Sequence, residues 1–138
     1  MIKKLLCLLL FVSIVGCSED SSTVSVTDDG FKSISNGDFI FQWQADTSEN
    51  TLTVRISNPT TGWLACGFSE GHTGSPMEDS NIIIGYIDDA SSAVSIFDQN
   101  SFGMSSGHSQ DSQDDITIIT TDSYQDESGT QLSFTIPL

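Results

Sequence analysis

From residue 31 onward the chain is a series of short stretches in which apolar and polar residues alternate, separated by turn-forming clusters. In DFIFQWQ, residues 38–44, Phe39, Phe41 and Trp43 fall on one side and Ile40 and Gln42 on the other. A period of two rich in aromatic residues predicts a strand. The polar residues 46–50 predict a turn, and Leu52, Val54 and Ile56 then alternate with Thr53, Arg55 and Ser57 as a half-buried strand. Asn58-Pro59-Thr60-Thr61-Gly62 breaks the pattern again. The stretch 63–88 follows, with a strand at 63–68 around the small run Ala65-Cys66-Gly67, a polar loop, and a second strand at 81–87. Ile82, Ile83 and Ile84 make that second strand a nearly unbroken apolar run, which predicts cover on both faces. Further strands are predicted at 93–98, 116–121 and 131–136, and the polar residues 99–115 predict a long loop. No segment carries a helical period. The pattern therefore predicts an all-β domain over 31–138, with about seven or eight strands, built as an antiparallel sandwich or barrel.

The N-terminus changes the picture of where that domain sits. Lys3 and Lys4 precede an apolar run from Leu5 to Val15, a secretory pattern too short to span a bilayer as a helix. Ile14-Val15-Gly16-Cys17 resembles a bacterial lipobox, which implies a signal peptide over 1–16 and an acylated Cys17. Residues 17–30, small, polar and acidic, then read as a flexible tether. The expected location is the cell envelope, on its periplasmic or extracellular face, held to the membrane through the N-terminal lipid alone. Ser18 lacks the acidic character linked to inner-membrane retention, so the outer membrane is expected in a Gram-negative host.

Charge narrows the partners. The formal net charge is −15, and once the signal is removed only Lys32 and Arg55 oppose 19 acidic residues. Nucleic acid is excluded as an electrostatic partner, because its recognition needs cationic groups to displace counterions. Of three cysteines, Cys7 falls in the signal and Cys17 at the lipid site, which leaves Cys66 without a partner for an intramolecular disulfide. Its place in an apolar strand reads as a small buried hydrophobe.

The loop between the two central strands holds His72, Met77, Glu78 and Asp79, the densest group of possible ligands in the sequence. Asp111, Asp114 and Asp115 offer oxygen ligands, but their spacing matches no EF-hand loop. No Ser-His-Asp arrangement, zinc motif or phosphate-cradling glycine loop is present, and adjacent acids such as Asp88 and Asp89 do not make a glycosidase pair. The expectation is a module that binds or carries electrons, with no catalytic residues of its own.

In order along the chain, FIFQWQAD, LTVRISNPTTGWLACGFSE, PMEDSNIIIGYIDD, SIFDQ, DSQDDITI and LSFTIPL resemble a DOMON domain. This exported sandwich, of immunoglobulin-like layout, is found in dopamine β-hydroxylase-like proteins and in the cytochrome part of cellobiose dehydrogenases. The resemblance implies haem b used for electron transfer with a redox partner protein, or alternatively a carbohydrate ligand, or an interaction domain without a small ligand. For haem, Met77 falls on the family's methionine ligand, a soft neutral donor. The family's histidine ligand lies close to the C-terminal end of the domain, where this sequence has none after His108. His108 is thus the candidate second ligand, and a domain cut short at Leu138 is the other explanation. For carbohydrate, the resemblance implies aromatic faces from Trp43, Trp63, Tyr86 and Phe102, with carboxylates such as Asp79, Asp88 or Asp98 for hydroxyl groups. Trp43 reads better as core. The candidate ligand-binding residues are therefore Trp63, His72, Asp79, Tyr86 and Asp98.

Overall fold

A computed structural model describes residues 23–68, 78–102, 107–113 and 115–138, with backbone alone at Glu78, Asp79 and Phe102. Among these residues there are eleven strands and one short 3-10 turn. In chain order the strands are β1 (Ser25–Val26), β2 (Lys32–Asn36), β3 (Phe39–Asp46), β4 (Thr51–Asn58), β5 (Leu64–Phe68) and β6 (Glu78–Ile87). They continue with β7 (Val94–Phe102), β8 (His108–Gln110), β9 (Thr117–Ile118), β10 (Tyr124–Asp126) and β11 (Gly129–Pro137). Every pairing is antiparallel. One sheet runs β1-β2-β3-β4-β11-β10, with β9 also paired to β11, and the other runs β5-β6-β7-β8. The fold is an antiparallel β-sandwich.

Alternation along the strands decides what the sandwich encloses. Val54 and Ile56 of β4 and Leu132 and Phe134 of β11 are fully buried, and they face Leu64, Ile83, Ile87 and Ile96 of the second sheet. Each side chain taken out of water at such a position contributes roughly 1.5–3 kcal/mol. Phe41 of β3 bridges the layers, edge-on to Phe68 with ring centroids 6.0 Å apart. Gly85 on β6 lets the layers close: a Cβ there would lie 2.9 Å from Leu132 Cδ1 of the opposite sheet and 2.6 Å from the Ser95 carbonyl oxygen.

Three expectations are adjusted. The predicted strand covered on both faces is covered on one: Ile83 and Ile87 are buried, while Ile82, Ile84 and Tyr86 on the other face remain half-buried. Within the predicted long loop at 99–115 lie paired strands, since β7 continues to Phe102 and β8 pairs antiparallel with it through Gln99 and Gln110. β8 is exposed throughout, so no apolar period marks it. The predicted strand at 116–121 is a two-residue strand followed by the 3-10 turn Thr120–Asp122.

Arg55 projects from the outer face of the larger sheet and ties down both its neighbours. Its guanidinium pairs with Asp29 and Asp122 and lies 3.9 Å from the centroid of the Phe31 ring. The turns are held by aspartates. Asp46 accepts from the backbone and hydroxyl of Ser48, Asp88 from those of Ser91, and Asp126 from those of Ser128. These hydroxyls hold the three carboxyls below the ordinary aspartate value of 3.8, and Asp29 is lowered by the Thr27 hydroxyl and then by Arg55. A carboxyl depressed in the folded state binds fewer protons there than in the unfolded chain, so its contribution is present above pH 3.8 and is lost as the pH falls through the depressed values. The urea midpoint is therefore expected to hold between pH 7 and 5 and to drop below about pH 4. An unchanged midpoint at pH 3 would contradict these turn contacts.

Candidate functional site

The residues that most need an explanation lie on the outer face of the four-stranded sheet. Alternation on β6 sends Ile83 and Ile87 inward, and so sends Ile82, Ile84 and Tyr86 outward. Leu64 pairs with Gly85, which places Trp63, one residue earlier, beside Tyr86. Their ring centroids are 4.6 Å apart with planes at 44°, and Phe97 of β7 continues the row 6.3 Å from Tyr86 at 30°. Ile84 stands between Ala65 and Phe97 on the same face. Trp63 is 63% exposed, second only to Val26 among the large apolar side chains of the described residues. A tryptophan left in water beside a half-buried tyrosine forms an aromatic platform with polar handles on its rings.

That platform is held from the other sheet. Gln125 of β10 accepts from the Gly62 N–H at 3.0 Å and donates through Nε2 to the Ile87 carbonyl at 3.5 Å and to Asp89 at 2.5 Å. One amide side chain thus ties the residue before Trp63 to the residue after Tyr86. The Thr130 hydroxyl lies 2.8 Å from Gln125 Oε1 and 3.2 Å from the Thr60 carbonyl, with one proton to give. Sequence reading missed Gln125. Nothing in the polar stretch YQDESG marks it, because its role depends on strands brought together across the sandwich.

Of the residues expected to bind, Trp63 and Tyr86 are brought together and Asp98 is not. Asp98 alternates with Ile96 toward the interior and is 4% exposed, on the opposite side of its sheet from the platform. Asp88 caps a turn, as described above. Trp43 packs against the core, as expected, 5.6 Å from Phe41. His72, Met77 and Cys17 lie outside the described residues, and the side chains of Asp79 and Phe102 do as well.

For haem, the described residues supply one imidazole. His108 is exposed on the edge strand β8, opposite Ser101, which is itself 1% exposed. The described residues do not bring two axial donors together, and among them no three His, Cys, Asp or Glu side chains form a metal-binding group. Asp111 accepts from Ser112 and from the Gln113 N–H, a local turn, and Asp114 lies outside the described residues.

Cys66 faces inward beside Ile83. Burial pushes its thiol up from 9.0 to about 12, so the nucleophilic thiolate is scarce at neutral pH. Iodoacetamide at pH 8 is expected to leave the Cys66 peptide unlabelled in the folded protein and to label it fully in urea, as read by peptide mass mapping. Rapid labelling of the folded protein would refute the buried-thiol assignment.

Comparison with curated proteins finds no match. DOMON is an extracellular-type domain, and among the described residues no helix is long and apolar enough to cross a membrane. The family model described as the DOMON domain matches residues 35–138, from β2 through β11, and thus spans both sheets and the Trp63–Tyr86 face. On that match, the chain belongs to the DOMON domain family.

Proposed function

We propose that the chain is an extracytoplasmic, lipid-anchored binding module that holds a neutral glycan against the Trp63–Tyr86–Phe97 face. The observation that carries this reading is Trp63, 63% exposed and 4.6 Å from Tyr86 on the outer face of the four-stranded sheet. A pyranose ring has an apolar face of C–H groups that covers an aromatic ring, and hydroxyls at its edge that reach polar groups around it. The charge of −15 disfavours an anionic glycan, so the ligand is uncharged. Lipid attachment at Cys17 rests on the lipobox-like sequence, and would hold the domain at the membrane surface through residues 17–30. The module presents a ligand and does no chemistry on it. Haem b, the other ligand class of the resemblance, depends on Met77 together with a second donor, and His108, exposed on an edge strand, gives it less support than the aromatic face gives a glycan.

Calorimetric titration with neutral cello-, xylo- and chito-oligosaccharides tests the proposal. Trp63→Ala is expected to weaken the best binder at least tenfold, about 1.4 kcal/mol, while leaving the melting temperature within a few degrees. Equal affinity in wild type and variant would remove Trp63 from the site. A Soret band in protein purified from haem-replete cells, shifted by Met77→Ala, would move the assignment to haem.

A further inference from the structure

A second recess lies on the opposite side of the molecule, on the outer face of the larger sheet, and it is independent of the aromatic platform. The strand register lines up Ser35, Ile40, Ser57, Gln131 and Tyr124 in one row across β2, β3, β4, β11 and β10. Phe41 and Ile56, the neighbours of Ile40 and Ser57 along their strands, pack into the core, so this row points outward. Ile40 and Tyr124 stand three strand spacings apart, roughly 14 Å. Between them Ser57 keeps the floor low. The result is a groove of about 540 Å³, closed at its ends by the β2–β3 and β10–β11 hairpins, with Asp38 and Asn58 on its rim.

Two features distinguish this groove from ordinary surface. Ile40 and Tyr124, 37% and 45% exposed, are among the few large apolar side chains left in water, and both line it. The volume also lies within the range of small-molecule sites.

The lining narrows the ligand by elimination. Among the described residues no Lys, Arg or His lines the groove and the chain carries −15, so an anion would meet no counter-charge there. Asp38 is the one carboxylate among the described lining residues, too few for a hard cation that needs six or more oxygens. A wholly apolar ligand would strip water from the serines without replacing their hydrogen bonds. Hydroxyls and an amide that both give and accept, bracketed by one aliphatic and one aromatic wall, suit an uncharged, hydroxyl-rich ring. We propose that the groove bounded by Ile40 and Tyr124 is a second binding site, for an uncharged polyhydroxylated molecule of one or two rings.

The test is calorimetric titration of the full-length chain with cellobiose, lactose and maltose, in wild type, Trp63→Ala, Tyr124→Ala and the double variant. Ser35→Tyr, at an exposed position, fills the groove without touching the core and serves as a second variant. The expected result is binding that persists in Trp63→Ala and falls at least tenfold when Tyr124→Ala or Ser35→Tyr is added. That outcome supports the groove whatever the platform does. Binding lost in Trp63→Ala and unchanged in Tyr124→Ala and Ser35→Tyr overturns the groove and leaves the platform standing. An absence of binding by all four proteins up to concentrations on the order of 10 mM overturns the groove, and the platform then stands or falls on its own titration with longer oligosaccharides.

Discussion

Replacing Gly129 with alanine is expected to destabilise the protein by about 3 kcal/mol or more, one of the larger effects available to a single substitution. Gly129 opens β11 opposite Asp126, with φ of +127°, in a region that L-residues rarely adopt. Space is closed as well as conformation. A Cβ there would lie 2.1 Å from the Asn58 carbonyl oxygen, 2.6 Å from Pro59 Cα and 2.9 Å from Pro59 C. These are backbone atoms, with no side chain able to swing aside, so relief requires the crossover from β4 to β5 to move. That crossover carries Thr60 and Gly62, whose hydrogen bonds to Thr130 and Gln125 fix the approach to Trp63. The substitution should therefore also weaken the proposed glycan binding at a distance from the platform. Gly37→Ala is the control. Its φ is +59° and nothing lies within 4 Å of the added carbon, so it should lose only about 1 kcal/mol. Urea denaturation of both variants measures the difference. A Gly129→Ala protein no less stable than Gly37→Ala would show that the crossover yields easily.

The strands that build the core were legible because each buries one face and wets the other. Phe39-Phe41-Trp43, Leu52-Val54-Ile56 and Leu132-Phe134 announce β3, β4 and β11 by their period of two. β8 and β10 were not legible, since neither has a buried apolar side chain and each exists by pairing with a longer neighbour. The triple isoleucine misled for a related reason. A run of apolar residues on a strand signals two apolar faces, and does not say whether the second is covered. Here Ile82 and Ile84 belong to an outer face that stays partly in water alongside Trp63, Tyr86 and Phe97.

The candidate site was legible as a list of residues and not as an arrangement. Trp63 and Tyr86 were both singled out, but their contact follows from the register of Leu64 on Gly85, which a one-residue slip would destroy. The same register argument separates Asp98 from them, because neighbours on a strand alternate between faces. The polar groove between Ile40 and Tyr124 needs five strands in register and has no local sequence signal at all.

Gln125→Leu is expected to cost about 2–3 kcal/mol of stability and to weaken the proposed glycan binding at least tenfold with both platform rings intact. Leucine fills a similar volume, so the loss comes from hydrogen bonds. The Gly62 N–H would lose its shorter contact and keep a 3.3 Å approach to the Thr130 hydroxyl, and the Ile87 carbonyl would lose a donor. Each part-buried group left unmatched costs about 1–3 kcal/mol, whereas Asp89 is exposed and can turn to water. Binding suffers because Trp63 is so exposed that packing alone does not fix its ring, and the strap from Gly62 to Ile87 supplies the restraint. Gln125→Glu separates the two halves of this role. The carboxylate still accepts from Gly62 and Thr130, but it cannot donate and it meets Asp89 at the position where the amide made a 2.5 Å contact. Adding Asp89→Asn restores a donor and removes the like charge, so the double variant should recover most of the stability and affinity that Gln125→Glu loses. Recovery of stability without affinity would show that Gln125 holds the sandwich together but does not position the aromatic face.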